Sequence, residues 1–263
     1  MIRFEAFLEI LNNWGDLIWA GVFSTLILSI FGTVVGLLLG VPLAYGKLLK
    51  IKRYDNTFKR LLKIVVRAFC NIYSTVLRGT PMMVQALIFK FGSQAIGLNW
   101  GAIRFPGEVS NVLNGWFIAG LVVITFNTAA YMGEVIISGI NGIDNGQEEG
   151  AKSLGISRKT TSFSIILPQA LRNSLPTIGN ELIVNIKDSS VLNVIAVTEL
   201  YYRLISIAAA TYSFLEAYIL LAVIYLIMTM VTSIALKLIE RKMDGKKISI
   251  NPFGRMMRRV HHA

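Results

Sequence analysis

Asn127, Tyr131 and Glu134 follow one another at i, i+4 and i+7 in an otherwise apolar run, and Glu181, Asn185 and Asp188 repeat that spacing further on. On a helix this spacing sets three polar side chains on one face. Among apolar neighbours such groups are costly, so each is read as part of a site or as half of a neutralised pair. The chemistry open to them is recognition rather than bond making. An ammonium would suit Glu134 or Asp188, and a carboxylate would suit Lys187 or Arg78. A plainer role is open to the same groups, in which they neutralise neighbours and shape the fold. Glu134 is balanced between the two roles, whereas Lys187 and Asp188 are read as structural or gating residues.

Bond-making chemistry has little to work with. Gly40 to Lys47 (GVPLAYGK) is the nearest approach to a phosphate loop, but it has five residues between the glycines and Leu48 where a hydroxyl is required. The two histidines, His261 and His262, stand together near the end of the chain. Glu134, Glu181, Asp188 and Glu199 show no pattern that would activate a nucleophile or hold a metal. The single cysteine, Cys70, excludes an internal disulfide and reads as a small buried apolar residue. No enzyme, no metal and no cofactor held by this chain is expected.

The elements that must position these residues are membrane helices. Of the 263 residues 54% are hydrophobic and only 16% charged, with a mean hydropathy of +0.60, which describes a polytopic membrane protein. The net charge of +11 does not point to nucleic acid. The basic residues cluster between Lys47 and Arg67 and between Lys237 and Arg259, beside apolar runs, as cytoplasmic flanks of spans do. The first residues carry Glu5, Glu9 and Asp16 against Arg3, so positive charge does not hold this end inside, and they lack the pattern of a cleavable signal.

Charge-free runs at Leu17–Gly46, Val109–Gly133 and Ala217–Leu236, with the apolar stretch Asn173–Thr198, each suffice to cross a bilayer. Ile64–Leu98 is broken by Arg78-Gly79-Thr80-Pro81; its first part, to Leu77, reads as an interfacial amphipathic elbow and Pro81–Leu98 as the span. The expectation is therefore an all-α, single membrane domain over 1–263 with five spans, at about 17–46, 81–98, 109–140, 173–198 and 214–238. Five spans, with the start of the chain outside and its end inside, satisfy the positive-inside rule; six would put the basic tail on the wrong face. Gly32, Gly36 and Gly40 lie on one face of the first span as a packing seam, and Pro42 is placed to kink its end.

Between the third and fourth spans lies a polar insert, helical over about 145–168. Gly142–Gly146 (GIDNG) is turn chemistry. Gln147–Leu154 then forms a helix with Glu148 and Glu149 in its first turn, Gly155 closes it in the left-handed conformation, and Ser157 caps a second helix that Pro168 stops. Ala151 and Leu154 make a small apolar knob beside Glu149, shaped to enter a groove on another protein. An idle solvated loop is the alternative, but loops of this length with two capped helices are seldom idle.

Here the sequence resembles a known family. Glu149-Gly150-Ala151, three residues, Gly155, nine residues, Ile165, one residue and Leu167-Pro168 resembles the EAA signature of ABC-importer permeases, with Gly150 where the family usually has alanine. Arg78-Gly79-Thr80-Pro81-Met82-Met83-Val84-Gln85 is similar to the RGTP-x-x-VQ segment of polar amino-acid permeases. Asn180–Leu200 is similar to their N-x-x-I-x-x-x-K-D-[ST]-S-L region, with Val191 and Leu192 where leucine more often follows the serine directly. The resemblance covers roughly Leu17 to Leu236. It implies a type I permease of the histidine/glutamine/arginine class in a bacterial cytoplasmic membrane, paired with itself or a paralogue. An ABC ATPase would grip Glu148, Glu149, Gly150, Ala151, Leu154, Gly155 and Pro168 and carry the ATP-Mg. An extracytoplasmic solute-binding protein would deliver an amino acid to a path formed by Arg78, Gln85, Asn127, Tyr131, Glu134, Asn185, Lys187 and Asp188. An ion-coupled secondary transporter or a channel is the alternative, opposed by the lack of a second half.

Overall fold

A computed structural model describes residues 4–53, 55–103 and 114–243, and all regular structure among them is helical. The chain opens with α1 (Phe4–Lys47), 44 residues and, at 1.5 Å per residue, about 66 Å long, twice the roughly 30 Å of a bilayer's hydrocarbon core. It starts earlier than the expected span and continues through Pro42 to its last turn. Two of its buried hydroxyls are satisfied within the helix: Ser24 Oγ donates to the Ala20 carbonyl at 2.8 Å and Ser29 Oγ to the Thr25 carbonyl at 2.7 Å.

After a basic loop come α2 (Thr57–Gly79), α3 (Met82–Ala95), a 3-10 turn at Trp100–Ala102 and α4 (Gly115–Asn141). The expected span at 109–140 begins in residues outside the described ones. The main seam runs between α1 and α4. A Cβ on Gly32 would come within 2.9 Å of Ile124 Cγ2, on Gly36 within 2.8 Å of Thr128 Cγ2, and on Gly40 within 2.6 Å of Met132 Cβ. The glycine row therefore holds the two helices at close backbone approach, where small residues replace the hydrophobic drive that lipid removes.

The segment expected as an interfacial elbow lies within α2, which is bonded to α4. Tyr73 Oη donates to the carbonyl of Phe126, in the middle of α4, at 2.6 Å. With 14 residues, about 21 Å, α3 is too short to cross alone, and it carries on from α2 past the break at Thr80-Pro81 towards Trp100 at the other end of α4. By length and apolarity α1, α4 and α9 (Phe214–Met243) can each cross, and a bent pair makes a fourth. The expected count of five needs α2 and α3 to act together as one crossing.

The polar insert follows α4 as α5 (Gly146–Ser153), α6 (Arg158–Thr160) and a π-helical stretch, Thr161–Ile166. Pro168 does not stop a helix, as the sequence suggests. It stands in the first turn of α7 (Leu167–Asp188), where its missing N–H is tolerated, directly after the widened π turns. From α7 the chain continues as a 3-10 helix, Ser189–Ile195, then turns at left-handed Ala196 (φ 67°) into α8 (Leu200–Thr211), bent by 56°. Glu199 caps α8, fully buried, its carboxylate accepting from the N–H groups of Tyr201 (2.9 Å) and Tyr202 (2.8 Å) and from Tyr225 Oη of α9 (2.9 Å). One apolar cluster joins α1, α8 and α9 through Ile10, Ile18, Leu204 and Leu221; a second joins α1, α4 and the 3-10 segment through Leu28, Phe117, Ile124 and Leu192. The basic tail beyond Met243, with His261 and His262, lies outside the described residues.

Candidate functional site

The polar residues of α2, α3 and α4 meet in one place. Arg78, in the last turn of α2, sends Nη1 to Glu134 Oε1 at 3.2 Å, and its guanidinium lies over the Tyr131 ring, 5.6 Å from the centroid. Glu134 Oε1 also takes an ion pair from Lys47, the last residue of α1. Asn127 Nδ2 donates to Gln85 Oε1 at 3.0 Å, and Gln85 Nε2 points back to the carbonyls of Leu77 (2.8 Å) and Thr80 (2.9 Å). Gln85 thereby serves the carbonyls that α2 leaves open where it breaks, a local reason for a glutamine four residues after Pro81. The i, i+4, i+7 face of Asn127, Tyr131 and Glu134 is thus real, and Arg78 and Gln85 arrive on it from elements some fifty residues away in sequence.

Three other candidates are not brought to this group. Asn185 is 4% exposed, and its amide is spent on helix packing: Nδ2 donates to Thr33 Oγ1 at 2.9 Å and Oδ1 accepts from Thr128 Oγ1 at 3.1 Å, tying α7 to α1 and α4. Lys187 is exposed, Asp188 half-buried, and neither makes an ion pair among the described residues. Glu181, half-buried on α7, lies within electrostatic range of Arg78 and Asp188.

Lys47 belongs to the group and is missed by sequence reasoning, which counts it among the basic flanks. Its charge fits the flanking pattern equally well; the only separate signal is its position at the immediate end of a charge-free helix.

The second candidate region is the insert between α4 and α7. Asn145 precedes α5, Glu148 and Glu149 occupy its first turn, and Lys152 Nζ pairs with Glu148 Oε1 at 3.1 Å. That hydrogen-bonded ammonium holds the Glu148 carboxyl below its ordinary range. Gly155 closes the turn at φ +72°, and Ser157 Oγ accepts from the Thr160 N–H at 3.2 Å, both as the sequence predicts. The apolar knob is different from the expectation. Leu154 is 79% exposed, but Ala151 is 4% exposed, because it falls on the side of α5 opposite Glu149's solvent face. Glu149 and Gly150 are exposed, and a Cβ on Gly150 would meet nothing within 4 Å. Pro168, also exposed, stands a full π-helical stretch beyond α5 and α6.

The insert is tied to α1. Tyr45 Oη donates to the Ser162 carbonyl at 2.9 Å, and the Tyr45 and Phe163 rings stack with centroids 5.0 Å apart. Among the described residues no cluster of three or more side chains could hold a metal.

Comparison with known proteins places this geometry in context. Residues 36–245 match the family model described as the inner membrane component of binding-protein-dependent transport systems. A protein of Rickettsia typhi, provisionally named a glutamine transport system permease, is 34% identical over 223 residues, covering 85% of this chain and 91% of its own. The arginine transport system permease protein ArtQ of Bacillus subtilis is 33% identical over 226 residues, 86% of this chain and 91% of its own. Among solved structures, an amino acid ABC transporter with histidines superposes with a TM-score of 0.74 at 31% identity, over 92% of this chain and 99% of that one. An inward-facing MetNI methionine ABC transporter shares the fold at 17% identity and a TM-score of 0.65, over 88% and 97% of the two chains.

Proposed function

This chain belongs to the family of binding-protein-dependent transport system inner membrane components, and from that premise we propose that it is the permease subunit of an ATP-driven importer of a polar amino acid. The subunit itself makes and breaks no bonds; a separate ABC ATPase hydrolyses ATP-Mg and grips this chain through α5, α6 and the π-helical stretch. The observation that carries this reading is the solvent-facing edge of the insert. Glu149 and Leu154 stand exposed at the inner ends of two long helices, on a short helix closed by a left-handed glycine. A surface of that kind offers one acid and one apolar side chain to a groove without reorganising the backbone.

In this reading the subunit pairs with a second permease, itself or a paralogue, in the bacterial cytoplasmic membrane, with the insert inside and the start of α1 outside. A solute-binding protein delivers the amino acid to the outer side. ATP binding draws the two inserts together, and α4 and α7 follow because the insert is continuous with both.

The candidate path is the group of Arg78, Gln85, Asn127, Tyr131 and Glu134. Glu134 is engaged by two cations, so a substrate ammonium reaches it only by displacing Lys47 or Arg78. Arg78 is 43% exposed and has five N–H donors, so it can take a carboxylate while keeping Glu134. Glu149→Lys tests the coupling. The variant is expected to insert normally and to lose the co-purifying ATPase and ATP-driven uptake. Uptake at the wild-type rate in Glu149→Lys would remove the insert from its assigned role.

A further inference from the structure

The last three residues of α1 each reach a different element. Tyr45 is bonded and stacked to the π-helical stretch of the insert. Gly46 takes the Cys70 sulfur of α2 against the place where a Cβ would stand. Lys47 is ion-paired to Glu134 of α4, which holds Arg78 in turn. The insert and the candidate path therefore meet in a single helical turn, the last of α1.

The insert's end of this contact is a place where the backbone has departed from α geometry. The Ser162 carbonyl already accepts the Leu167 N–H in the wide register of the π stretch and takes the Tyr45 hydroxyl on its second lone pair. π turns are rare and recur at functional positions, because shifting them back to α register moves a whole helix by a fraction of a turn. A side chain bonded to that carbonyl senses such a shift directly.

Resting on the reading of the insert as the ATPase contact, we propose that Tyr45 is a positioning residue that transmits movement of the insert to the Lys47–Glu134–Arg78 group, with the last turn of α1 as the joint. Tyr45 touches neither partner nor substrate. Its hydroxyl follows the Ser162 carbonyl, its ring follows Phe163, and two residues later Lys47 carries the displacement to Glu134. Coupling of this kind is reciprocal, so what moves the path must also move the insert.

The test uses the complex with its ATPase, in a Cys70→Ser background carrying Val84→Cys as a reporter beside Gln85. N-ethylmaleimide labelling of Val84→Cys is measured with and without ATP and vanadate. In the parent, ATP-vanadate changes the labelling rate. Tyr45→Phe keeps the ring and deletes one hydroxyl. Losing one neutral hydrogen bond from one state shifts an equilibrium by about 2- to 10-fold, and the ATP-dependent change in labelling is expected to shrink by that factor while ATPase co-purification and basal hydrolysis hold. Phe163→Leu, from the other side of the contact, is expected to act in the same direction.

Three results would overturn the proposal: a full ATP response in both variants, loss of the ATPase from Tyr45→Phe, which would make Tyr45 part of the docking surface, or a parent complex whose reporter ignores ATP. A parent chain that recruits no ATPase at all would instead refute the reading of the insert, before Tyr45 is in question.

Discussion

Glu134 concentrates the polar chemistry of the fold in one side chain. Two cations from different helices share its Oε1, and with 30% of the side chain exposed the group is neither a surface pair nor a sealed one. Removing the acid leaves Lys47 and Arg78 facing each other without compensation. Fully buried pairs lose about 3–5 kcal/mol on such a change and exposed ones under about 1 kcal/mol, so Glu134→Gln is expected to cost about 1–2 kcal/mol, read as a lowered melting temperature in detergent. Adding Lys47→Gln should restore part of that loss, since one of the two opposed charges goes with it; a strictly additive double variant would show that the ion pair is not a coupled unit. The sequence displays half of this arrangement. Helical spacing alone puts Asn127, Tyr131 and Glu134 on a common face, but nothing local to α4 reveals which residues answer it. Arg78 is singled out only by its charge, Gln85 only through a resemblance, and Lys47 is hidden by the excess of basic residues around it, any of which would serve as a flank.

Among the helical segments, the insert carries a conformational requirement that a single substitution can test. Gly155 adopts φ +72° with nothing within 4 Å of a Cβ, so a side chain there is opposed by backbone strain alone. Gly155→Ala is expected to cost about 1 kcal/mol of local stability and to weaken ATPase binding by about 5-fold, measured by titration of the ATPase onto the detergent-purified chain. Gly150→Ala tests the opposite case. It lies inside α5 in open space, so alanine is expected to firm the helix by up to about 1 kcal/mol and to hold or tighten ATPase binding; weaker binding would mean that the partner needs the bare backbone there. The turn, both caps and the helix before Gly155 are legible because each depends on residues at fixed, short offsets. The chain beyond Ser157 is harder to read. Pro168 has the standard appearance of a stop, and only the π-helical stretch before it explains why the helix runs on into α7. Likewise the expected elbow at Ile64–Leu77 is amphipathic in sequence, yet its polar side includes Tyr73, whose hydroxyl finds a carbonyl deep along α4. Amphipathicity states that one face is polar; it does not state whether water or another helix lies opposite.

The molecule as assembled puts the insert and the Arg78–Glu134 group at the end of α1 that Lys47 closes, and α8 against the first half of that helix. Leu154, 79% exposed at the insert, is the natural place to ask which side of the membrane that end occupies. Leu154→Cys in a Cys70→Ser background is expected to react with an impermeant maleimide in inverted vesicles and not in intact cells. Labelling from outside would invert the arrangement and leave no route to an ATPase. The fold class and the three longest apolar helices follow from composition and charge-free length, properties that survive any packing. The composite path through α2 and α3 does not, since α2 is long enough but too charged to span by itself, α3 is too short, and only their contacts with α4 align them.

One consequence concerns the great length of α1. Tyr45 lies within three residues of its last residue, while Ile10 and Ile18, towards its start, share an apolar cluster with Leu204 and Ile207 of α8. A single uninterrupted rod thus has its handle at the insert and its far arm in the bent region that Glu199 pins. Because that arm is by far the longer of the two about the Tyr45 joint, on the proposed coupling a modest tilt there would become a wide sweep at the start of α1. On that reading leverage along one helix would link the two ends of the fold without a relay of intermediate loops.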